Sequence, residues 1–187
     1  MKLVKNLCRI IVGIVFIYSG FVKGIDPLGS DYKFTDYFNA FGMGWMNVTT
    51  LFFSFALSLA EFLIGIALLF NLWVSRMAWG SLLFMAFFTP LTLVLALTNP
   101  VSDCGCFGDA MILTNWQTFW KNIILLLCAI MIFVYRKEYK SPLPWIGQLS
   151  FLVLAGAGML WLSIHCYRPC PYWTSALTPS VIISRKK

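Results

Sequence analysis

Long apolar runs separated by short polar segments form the main pattern of the chain. Five runs come close to the roughly 20 residues that a helix needs to cross a bilayer. They cover residues 7–22, 48–70, 77–97, 116–135 and 145–164. None alternates apolar and polar residues with a period of two, so helices are expected rather than strands. The pattern predicts an all-α integral membrane protein, a four-helix transmembrane bundle plus a candidate fifth span. The expected division is a membrane domain over 1–140, a fifth helix over 141–165 and an exported tail over 166–187.

Composition supports a membrane protein and excludes several other classes. The chain is 60% hydrophobic and 11% charged, whereas soluble domains are about 45–50% apolar and about 25% charged. The net charge of +7 comes from cations in small groups between the apolar runs. Because these cations form no stripe, no nucleic-acid partner is expected, and membrane lipid is the predicted surrounding. No P-loop, dinucleotide fingerprint or Ser-His-Asp set points to a kinase, dehydrogenase or hydrolase.

The distribution of cations also predicts an orientation. With the N-terminus in the cytoplasm, more Lys and Arg residues fall on the inner side than on the outer side, as the positive-inside rule requires. The inner set is Lys2, Lys5, Arg9, Arg76, Arg136, Lys137 and Lys140, and the outer set before the tail is Lys23, Lys33 and Lys121. The first run begins like a signal peptide but has no small-residue cleavage site, so an uncleaved span is expected. The predicted location is a bacterial inner membrane, with the N-terminus cytoplasmic.

The strongest local signal is Asp-Cys-Gly-Cys-Phe-Gly-Asp at residues 103–109, in the predicted outer loop between the third and fourth runs. Cys104 and Cys106 can meet only through a tight turn, which Gly105 permits. A disulfide across so short a loop is strained and therefore oxidising, and it contributes little entropic stabilisation. These properties favour a redox-active pair. A structural bridge and soft-metal binding by the thiolates are the alternatives. We expect no metal, because no His lies nearby.

A second candidate thiol pair, Cys166 and Cys170, follows the fifth run. The predicted orientation puts it on the same side as Cys104 and Cys106, the arrangement that a disulfide relay needs. Arg168 between them would raise the thiolate fraction of its neighbours. An incidental or structural pair remains the alternative.

A few polar or reactive side chains lie within or beside the apolar runs. Glu61 is the only acid well inside a run, where a charge costs roughly 2.5–3.5 kcal/mol on the insertion scale. It either handles protons or makes a helix–helix contact, and Lys23 can pair with it if the first two spans have offset ends. Cys8 and Cys128 are interpreted as small apolar residues without a role. The small residues near Gly20 predict close helix packing, with a head group or quinone ring as the alternative ligand.

These features resemble the DoxX-like membrane proteins and, within them, the methylamine utilisation protein MauE group. The resemblance rests on residues 18–23 with Asp26-Pro27, on residues 61–65, and most specifically on residues 103–108. It implies a four-helix membrane bundle and thiol–disulfide or quinone-linked redox chemistry outside the cytoplasm. The family name associates this chemistry with methylamine metabolism and with maturation of an exported, disulfide-rich enzyme. The matching functional residues are Cys104 and Cys106, with Glu61 in the bundle.

The leading functional hypothesis is therefore a redox factor for exported proteins. Cys104 and Cys106 would cycle between dithiol and disulfide, as a thiol–disulfide oxidoreductase does. An exported thiol protein or a thioredoxin-like protein would be the partner, a membrane quinone would accept the electrons, and Glu61 would handle the proton. Two alternatives remain open, a non-catalytic membrane scaffold with a structural Cys pair and a small transporter built around Glu61. A transporter needs several polar groups along its path, and the apolar runs contain only one acid well inside them, Glu61.

Overall fold

The computed structural model describes residues 2–40, 42–98 and 113–167. Its helices are α1 (Lys2–Ile25), α2 (Pro27–Ala40), α3 (Thr50–Leu69), α4 (Val74–Thr98), α5 (Asn115–Val134) and α6 (Trp145–Tyr167). A 3₁₀ turn over Gly44–Thr49 leads into α3. No strand occurs in these ranges, which confirms the all-α fold class. Cys104, Cys106 and Cys170 lie outside the described residues.

Five of the helices are long and apolar enough to cross a membrane, namely α1, α3, α4, α5 and α6. Each matches one predicted apolar run, and α4 continues through Pro90. The fifth helix, α6, packs against α1 and α3. Large apolar side chains such as Leu83, Phe87 and Leu154 are exposed on the outside of the bundle, where lipid chains would cover them.

The helix α2 lies in the polar segment between the first two apolar runs. Asp26 caps its first turn, because its Oδ1 accepts a hydrogen bond from Gly29 N at 2.9 Å, and Pro27 takes the first helical position. Ser54 Oγ of α3 donates to Pro27 O at 3.0 Å. The start of α3 therefore lies beyond the end of α1 and is covered by α2.

The helices α1 and α3 pack with their backbones unusually close together. A Cβ atom on Gly20 would lie 2.6 Å from Phe62 N, and one on Gly65 would lie 2.6 Å from Ile17 N. Ser58 Oγ donates to Gly20 O at 2.7 Å across the same interface. Only glycine permits this approach, which agrees with the close packing predicted from the small residues at the end of the first run.

The bundle has two distinct ends. The amino-terminal end carries the start of α1 and the connection from α5 to α6, joined by an ion pair of 2.7 Å between Lys5 Nζ and Glu138 Oε2 and by a hydrogen bond of 3.1 Å from Tyr139 Oη to Lys5 O. The opposite end, here called the loop end, carries α2, the end of α4 and the start of α5. There a reciprocal capping box of Thr114 and Gln117 begins α5.

Candidate functional site: a buried ion pair beside a polar cavity

Glu61 forms an ion pair with Lys23 in the interior of the bundle. Lys23 Nζ donates to Glu61 Oε1 at 2.7 Å, and the two side chains are only 10% and 5% exposed. Gly20 of α1 packs against Ser58 and Phe62 of α3, so Glu61 lies near the level of Gly20, and the Lys23 side chain reaches back about one helical turn to meet it. This is the partner that the sequence allowed for Glu61. Pairing removes the uncompensated charge that would otherwise make Glu61 costly inside a membrane.

A cavity of about 60 Å³ lies beside this ion pair. Residues of α1, α2, α3, α4 and α5 line it, so it lies toward the loop end. Its polar lining comprises Ser19, Lys23, Ser30, Lys33, Tyr37, Glu61, Thr92, Lys121 and Asn122. Because one water needs about 10–15 Å³ of such space, the cavity has room for several waters or for part of a polar ligand.

Two buried polar atoms in the cavity wall have no hydrogen-bond partner among the described residues. They are Glu61 Oε2 and Ser30 Oγ, and their residues are 3% and 5% exposed. Buried polar groups are nearly always satisfied by protein or by ordered water. The two atoms therefore mark the positions where a water or a ligand group would complete the hydrogen bonding.

The wall on the α4–α5 side combines aromatic rings with one fixed polar group. Phe84 stacks on Phe88 with ring centroids 4.4 Å apart, and Phe16 meets Phe84 edge-on at 5.4 Å. Asn122 Nδ2 donates to Thr92 Oγ1 at 3.2 Å and links α5 to α4. Aromatic rings beside hydroxyl and ammonium groups match the chemistry of a planar ring with carbonyl oxygens, so the lining is compatible with one edge of the quinone that the sequence suggested.

The structure brings together only some of the residues that the sequence singled out. Glu61 and Lys23 meet, whereas Cys104, Cys106 and Cys170 lie outside the described residues, and their pairing stays a prediction. Cys166 lies next to the last described residue of α6. The sequence reasoning missed Ser30 and Asn122 altogether. It also used Lys33 and Lys121 only to orient the chain. The available signal was Lys121 with Asn122, two polar residues inside the fourth apolar run.

Several apolar helices enclosing a polar cavity and a buried ion pair define a multi-pass membrane protein. A family model described as "Methylamine utilisation protein MauE" matches residues 1–135. The chain therefore belongs to the MauE family, and the match extends from α1 to the end of α5. No curated protein and no solved structure matches the chain. The resemblance to the broader DoxX-like group stays a prediction.

Proposed function

We propose that this protein is a thiol–disulfide redox factor of a bacterial inner membrane that supports the maturation of exported proteins. Its N-terminus lies in the cytoplasm, and the loop with Cys104 and Cys106 lies outside. An exported thiol protein or a thioredoxin-like protein is its partner. The name of the MauE family suggests that the process this protein supports is methylamine metabolism.

The observation that carries the proposal is the polar cavity beside Lys23 and Glu61 at the loop end. The helix α4 ends at Thr98 and α5 begins at Asn115, both at this end, and the two cysteines lie between them in the sequence. Cys104 follows Thr98 by six residues, so the chain keeps it within about 20 Å of the end of α4. Leu95, one turn before that end, lines the cavity. Coupled electron and proton transfer needs a thiol pair and a protonatable group near each other, and here both would belong to the loop end of the bundle.

The thiol step is an exchange between two dithiol–disulfide couples. A thiolate of the partner attacks the Cys104–Cys106 disulfide, and the second partner thiol then resolves the mixed disulfide. The partner loses two electrons and two protons and gains a disulfide, while Cys104 and Cys106 become thiols. A quinone in the cavity would supply a two-electron, two-proton acceptor.

The cavity residues have separate roles in this proposal. Phe84 and Phe88 would form the apolar side of the quinone site. Ser30 and Asn122 would donate to its oxygens, and Glu61 Oε2 would hold or release a proton beside them. Lys23 holds the Glu61 carboxylate in position from the other side.

The first test measures the redox state of Cys104 and Cys106 in intact cells with a membrane-impermeant maleimide, with and without mild reductant. We expect a pair that is outside, oxidised and easily reduced. Cys104→Ser and Cys106→Ser should then each abolish disulfide formation in an exported reporter protein, whereas the matched control Cys128→Ser should not. A pair that resists the reductant would favour a structural bridge and a scaffold. Thiols shielded from the outside would contradict both the orientation and the function.

A second test distinguishes the role of the cavity from the role of the two thiols. Glu61→Gln keeps the shape of the side chain but removes the ionisable group. We expect the pair to remain accessible to maleimide while its reoxidation after a reductant pulse slows by about 100-fold or more, since a positioned proton-transfer group typically contributes about 10²–10⁴-fold. Unchanged reoxidation would exclude Glu61 from the reaction. Cys166→Ser and Cys170→Ser test in the same assay whether the second pair relays the disulfide.

A further inference from the structure

The amino-terminal end of the bundle is strongly basic. The turn between α3 and α4 belongs to this end, because Asn71 Nδ2 donates to Lys140 O. Among the described residues the only acid there is Glu138, which is paired with Lys5. The cations of this end whose side chains the structure describes are Lys5, Arg9, Arg76, Arg136, Lys137 and Lys140. An anion that reaches this end therefore meets a net positive charge.

Two of these cations lie beside an exposed aromatic ring between α4 and α5. The Arg136 guanidinium is 5.8 Å from the centre of the Trp79 ring and 4.1 Å from that of Phe133, and the two rings meet edge-on at 4.4 Å. Arg76 precedes Trp79 by three residues on α4, so the two lie on the same side of that helix. The Arg76 guanidinium itself lies 5.2 Å from the Trp73 ring. Trp79, 49% exposed, thus has a guanidinium from each of the two helices near it.

The Arg136 guanidinium is held in place by the end of its own helix. Its Nη1 donates to Phe133 O at 2.8 Å. A guanidinium has five N–H donors, so this bond still permits a two-point contact with a phosphate, the anion whose geometry best matches the fork of an arginine besides a carboxylate. The group is therefore positioned as a phosphate binder at the surface of the bundle.

An exposed apolar stripe continues from Trp79 toward the middle of the bundle. Leu83 and Phe87 follow Trp79 at intervals of four residues on α4, and residues with this spacing lie on one face of a helix. Ile130 and Val134 have the same spacing on α5, and all four side chains are exposed. Tryptophan prefers the level of the lipid head groups. Cations at that level, with an apolar stripe beneath them, match a molecule with an anionic head and an apolar chain.

We propose that an anionic phospholipid binds between α4 and α5 at the amino-terminal end of the bundle. Its phosphate lies at Arg76 and Arg136, and one acyl chain follows Trp79, Leu83 and Phe87. A zwitterionic phospholipid binds more weakly, because its own cationic group is repelled by the two guanidinium groups. This site is at the opposite end from the polar cavity, and the proposal does not depend on the redox function.

The test is native mass spectrometry of the full chain released from detergent, after titration with dioleoyl phosphatidylglycerol or dioleoyl phosphatidylcholine. The number of bound lipids at each concentration gives the Kd of the first lipid. We expect phosphatidylglycerol to bind at least about tenfold more tightly than phosphatidylcholine. Arg76→Gln with Arg136→Gln should weaken phosphatidylglycerol binding by about 25-fold, because each cation near a lipid surface typically contributes about fivefold. Binding of phosphatidylcholine should stay the same.

A matched control removes the same charge from the same end of the bundle. Lys137 and Lys140 are exposed, and Lys137→Gln with Lys140→Gln should weaken phosphatidylglycerol binding by less than about threefold. Arg76→Gln alone keeps the contacts of Arg136 and should still cost about fivefold, so that a folding defect of the double variant would not decide the outcome. The proposal is overturned if the two phospholipids bind equally well. It is also overturned if the lysine control weakens binding as much as the arginine variant does, since unspecific attraction to a basic surface would then explain the result.

Discussion

Removing one partner of the Lys23–Glu61 pair should destabilise the protein far more than removing both. The two side chains are 10% and 5% exposed and meet at 2.7 Å. Loss of one partner from such a pair leaves a buried charge without compensation, which typically costs about 3–5 kcal/mol. We therefore expect Lys23→Met and Glu61→Met each to lower the free energy of unfolding by about this amount. Methionine is chosen because it is long, unbranched and apolar.

The double variant distinguishes an ion pair from two independent packing positions. Replacing both members of a buried pair by apolar residues of similar volume is often neutral or stabilising. Lys23→Met with Glu61→Met should therefore be more stable than either single variant, which corresponds to a coupling energy of at least about 3 kcal/mol. If the two residues did not interact, the stability loss of the double variant would equal the sum of the two single losses to within about 0.3–0.5 kcal/mol.

The assay is reversible unfolding in mixed micelles, with the fraction of sodium dodecyl sulfate as the denaturing variable. The pair of Lys5 and Glu138 at the amino-terminal end provides a matched control, because it has the same distance of 2.7 Å but Glu138 is 59% exposed. For Glu138→Gln we expect a loss below about 1 kcal/mol. The reasoning is refuted if the stability losses of Lys23→Met and Glu61→Met simply add in the double variant. It is also refuted if each single loss is no larger than the loss caused by Glu138→Gln.

Two further predictions concern the packing that builds the site. Gly65→Ala should lower the free energy of unfolding by about 1–3 kcal/mol, because the new Cβ would meet Ile17 N at 2.6 Å. Gly158→Ala, with nothing within 4 Å of its Cβ, should not destabilise the protein, and thermal unfolding in detergent compares the two. Asn122→Leu should cost about 0.5–1.5 kcal/mol in the micelle assay, because it removes one hydrogen bond to Thr92, whose hydroxyl still donates to Thr89 O. In a chain that already carries Thr92→Val the same substitution should cost less, because its acceptor is gone, and an equal cost would contradict the hydrogen bond's role.

Much of the architecture could be predicted from the sequence. A run of some 20 apolar residues has few stable alternatives to a spanning helix, because backbone groups in lipid must be satisfied within the segment. The five apolar helices therefore follow from local composition. Even α2 has a local signal in Asp26-Pro27, an N-cap followed by a favoured first helical residue. The hydropathy pattern does not predict α2, because the segment is too polar to span a membrane.

The sequence by itself determined which segments enter the membrane and that Glu61 needs a partner there. Only the tertiary structure decided that the partner is Lys23, since the pairing depends on how far α3 extends beyond α1, and Gly20 and Gly65 set that contact. Local sequence limits what each helix can be, whereas contacts between distant helices depend on relative position and depth, which no single segment encodes.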